Sequence, residues 1–209
     1  MDFLSIYLTI GLVILGLMTM LWLLSLALKN ASIVDIFWGT GFVITAWVGF
    51  FLTPEGFLAR KLLLCALVTI WGLRLSIHIL IRNGGKPEDF RYQSWRKENG
   101  SAWWWRSFVK VFLLQGLLMW LISTPLLAAQ VSPQPAKLTW LDYLAVLLWV
   151  YGFFFEAVGD SAQGWAYFLI ALAAGAWWAV SSPIMMTLLL MRVSGVTLLE
   201  KTLKVQKPG

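Results

Sequence analysis

Residues 3–28, FLSIYLTIGLVILGLMTMLWLLSLAL, contain no charged side chain. That run constrains the fold more than any other feature of the chain. At 1.5 Å per residue, a helix of this length crosses a hydrocarbon core about 30 Å thick. Lipid offers no partner to backbone N–H and C=O groups, so a helix that bonds to itself is the form such a run takes. The run lacks a basic leader and a cleavage pattern and exceeds a signal-peptide core, so it reads as a span and not as a cleaved leader.

The pattern repeats. Apolar runs cover about 3–28, 32–53, 61–82, 107–130, 139–158, 164–180 and 183–200. The expected fold is all-α: one polytopic membrane bundle of about seven transmembrane helices, residues 1–209 forming a single domain. The chain is 60% hydrophobic and 12% charged, against about 45–50% and about 25% in soluble domains. The one substantial loop, IRNGGKPEDFRYQSWRKENGSAWWWR, carries Arg82, Lys86, Arg91, Arg96, Lys97 and Arg106. The positive-inside rule puts it in the cytoplasm and the N-terminus outside, with Arg60, Lys61 and Lys137 on the outer flank. Trp103–Trp105 would mark the inner interface, and Trp140 with Trp177–Trp178 the outer one. A net charge of +6 would suggest nucleic acid in a soluble protein; here the basic residues border apolar runs, so topology accounts for them and no nucleic-acid partner is expected. One cysteine and one histidine exclude a disulfide within the chain and a Cys- or His-based metal site.

Ionisable residues at bilayer depth cost at least about 2.5–3.5 kcal/mol each, so they face a cavity or a partner. Asp35, Arg74, Glu156 and Arg192 lie inside apolar runs, two acids against two bases. Arg74, His78 and Arg82 fall at i, i+4 and i+8 on one helix stripe, and Glu156 and Asp160 at i, i+4. Arg192 and Glu200 are two turns apart. The expectation is a polar chamber open to the cytoplasm. Arg82, Asp160 and Glu200 read equally well as snorkelling end charges; His78, Cys65 and Met185–Met186 read as packing. Signatures of soluble nucleotide-binding folds and serine triads are absent.

The segments SIVDIFWG, WGLRLSIHILIRNGGKPEDFRY, EAVGD and MRVSGVTLLEK resemble the small bacterial branch of the steroid 5-alpha-reductase superfamily. The resemblance implies a seven-helix bacterial inner-membrane enzyme that binds NADPH from the cytoplasm. Its reaction would be reduction of an activated C=C bond in an apolar, lipid- or steroid-like substrate arriving from the bilayer. It implies cofactor contacts at Arg74, Lys86, Arg91, Glu156, Asp160, Arg192 and Glu200, and catalytic groups at Asp35 and Tyr92. Hydride addition to an enone builds negative charge on the carbonyl oxygen, which an acid or a phenol stabilises. Trp71 falls where the steroid enzymes carry tyrosine, leaving Tyr92 as the available phenol.

Family chains continue past the EAVGD-type segment into a basic loop ending in a His-Pro-Asn-Tyr-like motif that covers the nucleotide. Here EAVGD passes directly to SAQGW, so the resemblance implies an internal deletion. It also implies further tyrosine- and arginine-bearing residues after the KPG stretch. Two other readings stay open at this level: a methyltransferase related to the isoprenylcysteine carboxyl methyltransferases, and a non-catalytic membrane protein.

Overall fold

The computed structural model describes residues 2–154 and 156–184, and those residues contain helices and no strand. In chain order the helices are α1 (Phe3–Leu28), α2 (Ile33–Leu52), α3 (Leu58–Asn83), α4 (Phe90–Asn99), α5 (Trp103–Ser107), α6 (Leu114–Ile122), α7 (Thr124–Val131), α8 (Trp140–Phe154) and α9 (Glu156–Ala173). A π-helical turn, Phe108–Leu113, joins α5 to α6. Four helical stretches (Phe3–Leu28, Ile33–Leu52, Leu58–Asn83 and Phe90–Val131) are long and apolar enough to cross a membrane, and Trp140–Phe153 is a shorter apolar helix. Large apolar side chains such as Leu12, Phe51, Ile81 and Leu147 are exposed, as lipid-facing residues are. The chain is a polytopic all-α membrane protein. The expected seventh span, 183–200, lies outside the described residues beyond 184.

The chain divides into two compact units, Met1–Pro54 with Leu62–Ser123, and Glu55–Lys61 with Thr124–Gly209. In the first, α1 buries Ile6, Ile10, Ile14, Met18, Leu21 and Ser25, a stripe at the i, i+3/i+4 spacing of one helix face. α2 and α3 meet backbone to backbone. A Cβ added to Gly39 would lie 2.2 Å from the Gly72 carbonyl oxygen, so only glycine fits there. One turn further, Thr40 N–H donates to Ser76 Oγ at 3.0 Å. Close approach at small residues with a polar bond beside it is how lipid-embedded helices associate.

The loop between the third and fourth runs contains a helix that hydropathy does not reveal, because α4 is polar. Asp89 starts it by accepting the Arg91 backbone N–H at 3.0 Å, and Gly100, at φ 50°, ends it; both are ordinary helix-end chemistry. Trp103, expected at a membrane interface, is buried beneath the Arg96 guanidinium, 5.6 Å from the ring centroid. Trp104 and Trp105 are exposed.

The expected span 107–130 is interrupted: α6 ends at Ile122 and α7 restarts at Thr124, because Pro125 has no N–H to continue the ladder and suits a first turn. The sequence reading put the joint of the fifth and sixth runs at 159–163, but the backbone there is helical, within α9. EAVGDSAQGW contains no proline, and its glycines cost only about 1 kcal/mol each in a helix. α9 packs on α8 and α7 and stops before Gly175, at φ 83°. Trp177–Val180 is a separate 3-10 turn, so the run 164–180 is not one helix.

Candidate functional site

Asp35 stands in the first turn of α2, and the chain around it is held by a latch. In the α1–α2 turn, Ser32 N–H bonds Asn30 Oδ1 at 2.9 Å. Ala31 N–H donates to Glu88 Oε1 at 2.6 Å, and Asp89 N–H donates to Ser32 Oγ at 3.3 Å. Arg96 grips both Glu88 oxygens, at 3.0 and 2.8 Å, and donates to the Lys29 carbonyl at 3.1 Å. A two-oxygen arginine–carboxylate pair fixes orientation as well as distance. The segment 88–96 is thereby fastened to the turn that precedes Asp35.

The latch seats Tyr92, 3% exposed, with its Oη donating to Asp35 Oδ1 at 2.8 Å. Arg91 Nη2 lies 3.4 Å from Asp35 Oδ2, and Arg91 Nε donates to Asp89 Oδ1 at 3.0 Å. Gln115, from α6, completes the group: its Nε2 is 3.4 Å from both Asp35 Oδ1 and Tyr92 Oη. Burial opposes ionisation of Asp89, but the hydrogen bonds from the Arg91 guanidinium and backbone N–H, with the charge of Arg91, outweigh it and hold its carboxyl below the usual range. The structure therefore brings the two expected catalytic residues into direct contact and adds Arg91, one of the expected cofactor residues. Trp71 is buried, edge-on to Phe42 at 5.7 Å. The phenol beside Asp35 comes from Tyr92.

Next to this group lies a cavity of about 280 Å³ lined by Asn30, Ser32, Ile33, Asn83, Lys86 and Asp89, among others. Lys86 is exposed; its ammonium and the two amides favour an anionic group, and the Asp89 carboxylate in the same lining opposes one. The volume falls below the roughly 300–1,000 Å³ of pockets that bury a drug-sized ligand.

Arg74 is half-buried on α3, while His78 and Arg82 of the same stripe are exposed. Glu156 and Asp160 belong to the α9 backbone, and their side chains lie outside the description. Arg192 and Glu200 also lie outside the described residues. Three residues bonded to this group escaped the sequence reading. Gln115 carries no charge, and Glu88 and Arg96 sit in a loop where charges read as solvated. In the second unit, Arg60 and Lys61, expected as outer flank charges, are buried. Arg60 Nε pairs with Asp142 Oδ1 at 3.2 Å, and Asp142 Oδ2 accepts the Thr139 N–H and hydroxyl at 2.8 and 2.9 Å.

A family model described as a protein of unknown function, DUF1295, matches residues 21–164 and 162–208. No curated protein and no solved structure matches the chain.

Proposed function

The chain belongs to the DUF1295 family, the steroid 5-alpha-reductase-like group, and from that premise we propose that it is a membrane-embedded NADPH-dependent reductase scaffold. Its substrate class is an apolar, lipid- or steroid-like molecule with an activated C=C bond. The observation that carries this reading is the Tyr92–Asp35 hydrogen bond of 2.8 Å, flanked by Arg91 and the Lys86 cavity. NADPH, when bound, supplies the hydride. Lys86 and Arg91 would hold its phosphates by charge-assisted bonds. An enone carbonyl reaching Tyr92 would take the phenolic hydrogen in exchange for Asp35, so the O–H stabilises the oxygen on which charge develops. An apolar substrate enters from lipid, and the charged cofactor from the basic side.

We also read the chain as lacking the nucleotide-covering loop. The family match comes in two segments that overlap at 162–164, inside SAQGW and just past EAVGD, which supports this. Losing two charged contacts at roughly 1.5–3 kcal/mol each would weaken NADPH about 10²–10⁴-fold. The test titrates NADPH and S-adenosylmethionine against purified protein, following tryptophan fluorescence. Weak NADPH binding that drops further in Lys86→Ala and Arg91→Ala is the expected result. Preferential binding of S-adenosylmethionine would favour the methyltransferase reading. Binding of neither, with both substitutions lowering only stability, would favour a non-catalytic protein.

A further inference from the structure

Between α5 and α6 the chain makes a π-helical turn, Phe108–Leu113. A π turn closes rings one residue longer than those of an α-helix, which amounts to about one extra residue in the turn. Each residue of an α-helix rotates the face by about 100°. The turn therefore resets which side of α6 faces the same way as the buried residues of α5. Before it, Trp103 and Ser107 are buried at i and i+4; within it Val111 and Phe112 are, the second at i+5 from Ser107; after it, Gly116, Met119 and Ile122 are. Gln115 lies on the edge of that second face, half-buried, two residues past the π turn. It is the polar residue in the run VFLLQGLLMWL. A side-chain amide in an apolar helix is costly unless it is bonded, and this one lies 3.4 Å from Asp35 Oδ1 and from Tyr92 Oη.

We infer that the π turn aims Gln115 at the Asp35–Tyr92 pair and that Gln115 is the positioning residue of that pair. The amide donates to both oxygens, so it resists separation of phenol and carboxylate. It also fixes the angle at which the Tyr92 hydroxyl stands for a carbonyl. The charged neighbours of the pair, Arg91 on Asp35 Oδ2 and Asp89 on Arg91, are both carried by the 88–96 segment. Gln115 is the contact to the pair that arrives from α6. Its role for a substrate carbonyl rests on the reductase reading; its role in holding the pair does not.

The test reads the pair directly in ligand-free protein. With 3-fluorotyrosine placed at position 92, the fluorine resonance reports the field and hydrogen bonding at the phenol. Gln115→Met keeps the length of the side chain and removes both donors, and it is expected to move that resonance. Leu117→Met, a neighbouring change that does not touch the pair, is the control and should leave the resonance in place. Deleting Val109 removes the extra residue of the π turn and should shift the resonance in the same direction as Gln115→Met. If the deletion does not fold, Gln115→Met decides alone. An unmoved resonance in folded Gln115→Met overturns the inference, whatever the cofactor titration gives. A moved resonance in a protein that binds no NADPH leaves the inference standing and counts against the reductase reading.

Discussion

Arg60 has no exposed surface, and its guanidinium meets the carboxylate of Asp142, itself fully buried. Breaking such a pair by removing one partner strands a buried charge, at a cost of about 3–5 kcal/mol. Asp142→Ala should therefore lower the melting temperature in detergent strongly. The double variant Arg60→Met/Asp142→Leu, which removes both charges, should recover most of the loss. If the double variant melts no higher than the single, the pair is not a unit. At the Asp35 group the same logic predicts that Glu88→Gln, which weakens the grip of Arg96, leaves the protein folded but loosens Tyr92 from Asp35. Faster hydrogen exchange at the 88–96 amides, with the rest of the first unit unchanged, would show it. Residues differ sharply in how legible they are. Asp35 announces itself because a carboxylate inside an apolar run demands a partner. Gln115 does not, since an amide carries no charge, and Arg60 hides because a charge at the end of a run usually snorkels.

Elements follow hydropathy where burial in lipid decides them, and depart from it where local chemistry does. α1, α2 and α3 sit close to the apolar runs that announce them because length and charge exclusion leave little choice. α4 is invisible to the same reasoning; its start and stop are written in Asp89 and Gly100, and its position in Glu88 and Arg96. The 107–130 run conceals both the π turn and the Pro125 break, since apolar residues hide changes of helical register. The α2–α3 crossing makes the sharpest prediction at this scale. A methyl at Gly39 would meet the Gly72 carbonyl at 2.2 Å, and one at Gly72 the Gly39 carbonyl at 2.5 Å. Backbone cannot swing aside as a side chain can, so Gly39→Ala and Gly72→Ala should each cost at least the about 1–3 kcal/mol of an overpacked core. Gly16→Ala, where nothing lies within 4 Å, should be silent. Equal melting of all three would mean that α2 and α3 do not cross at these glycines.

For the whole molecule the open quantity is which side of the membrane each face meets, and charge supplies the expectation. Arg82 stands in the last turn of α3, Lys86, Arg91, Arg96, Lys97 and Arg106 lie between α3 and the π turn, and short basic loops are retained in the cytoplasm. The burial of Arg60 and Lys61 strengthens the asymmetry: with those two charges folded into the protein, Lys137 is left to represent the opposite flank. The Asp35 group and the Lys86 cavity are built from the basic segment, so they share its side, which is where a charged cofactor would have to arrive. Ser94 is exposed on α4, which makes it the place to ask. In a background where Cys65, buried and in contact with the Ala46 carbonyl, is replaced by alanine, Ser94→Cys should resist an impermeant maleimide in intact cells. It should react once the cells are opened. Labelling before lysis would turn the protein over and put the site on the wrong face for a cofactor from the cytoplasm, and the reductase reading would fall with it.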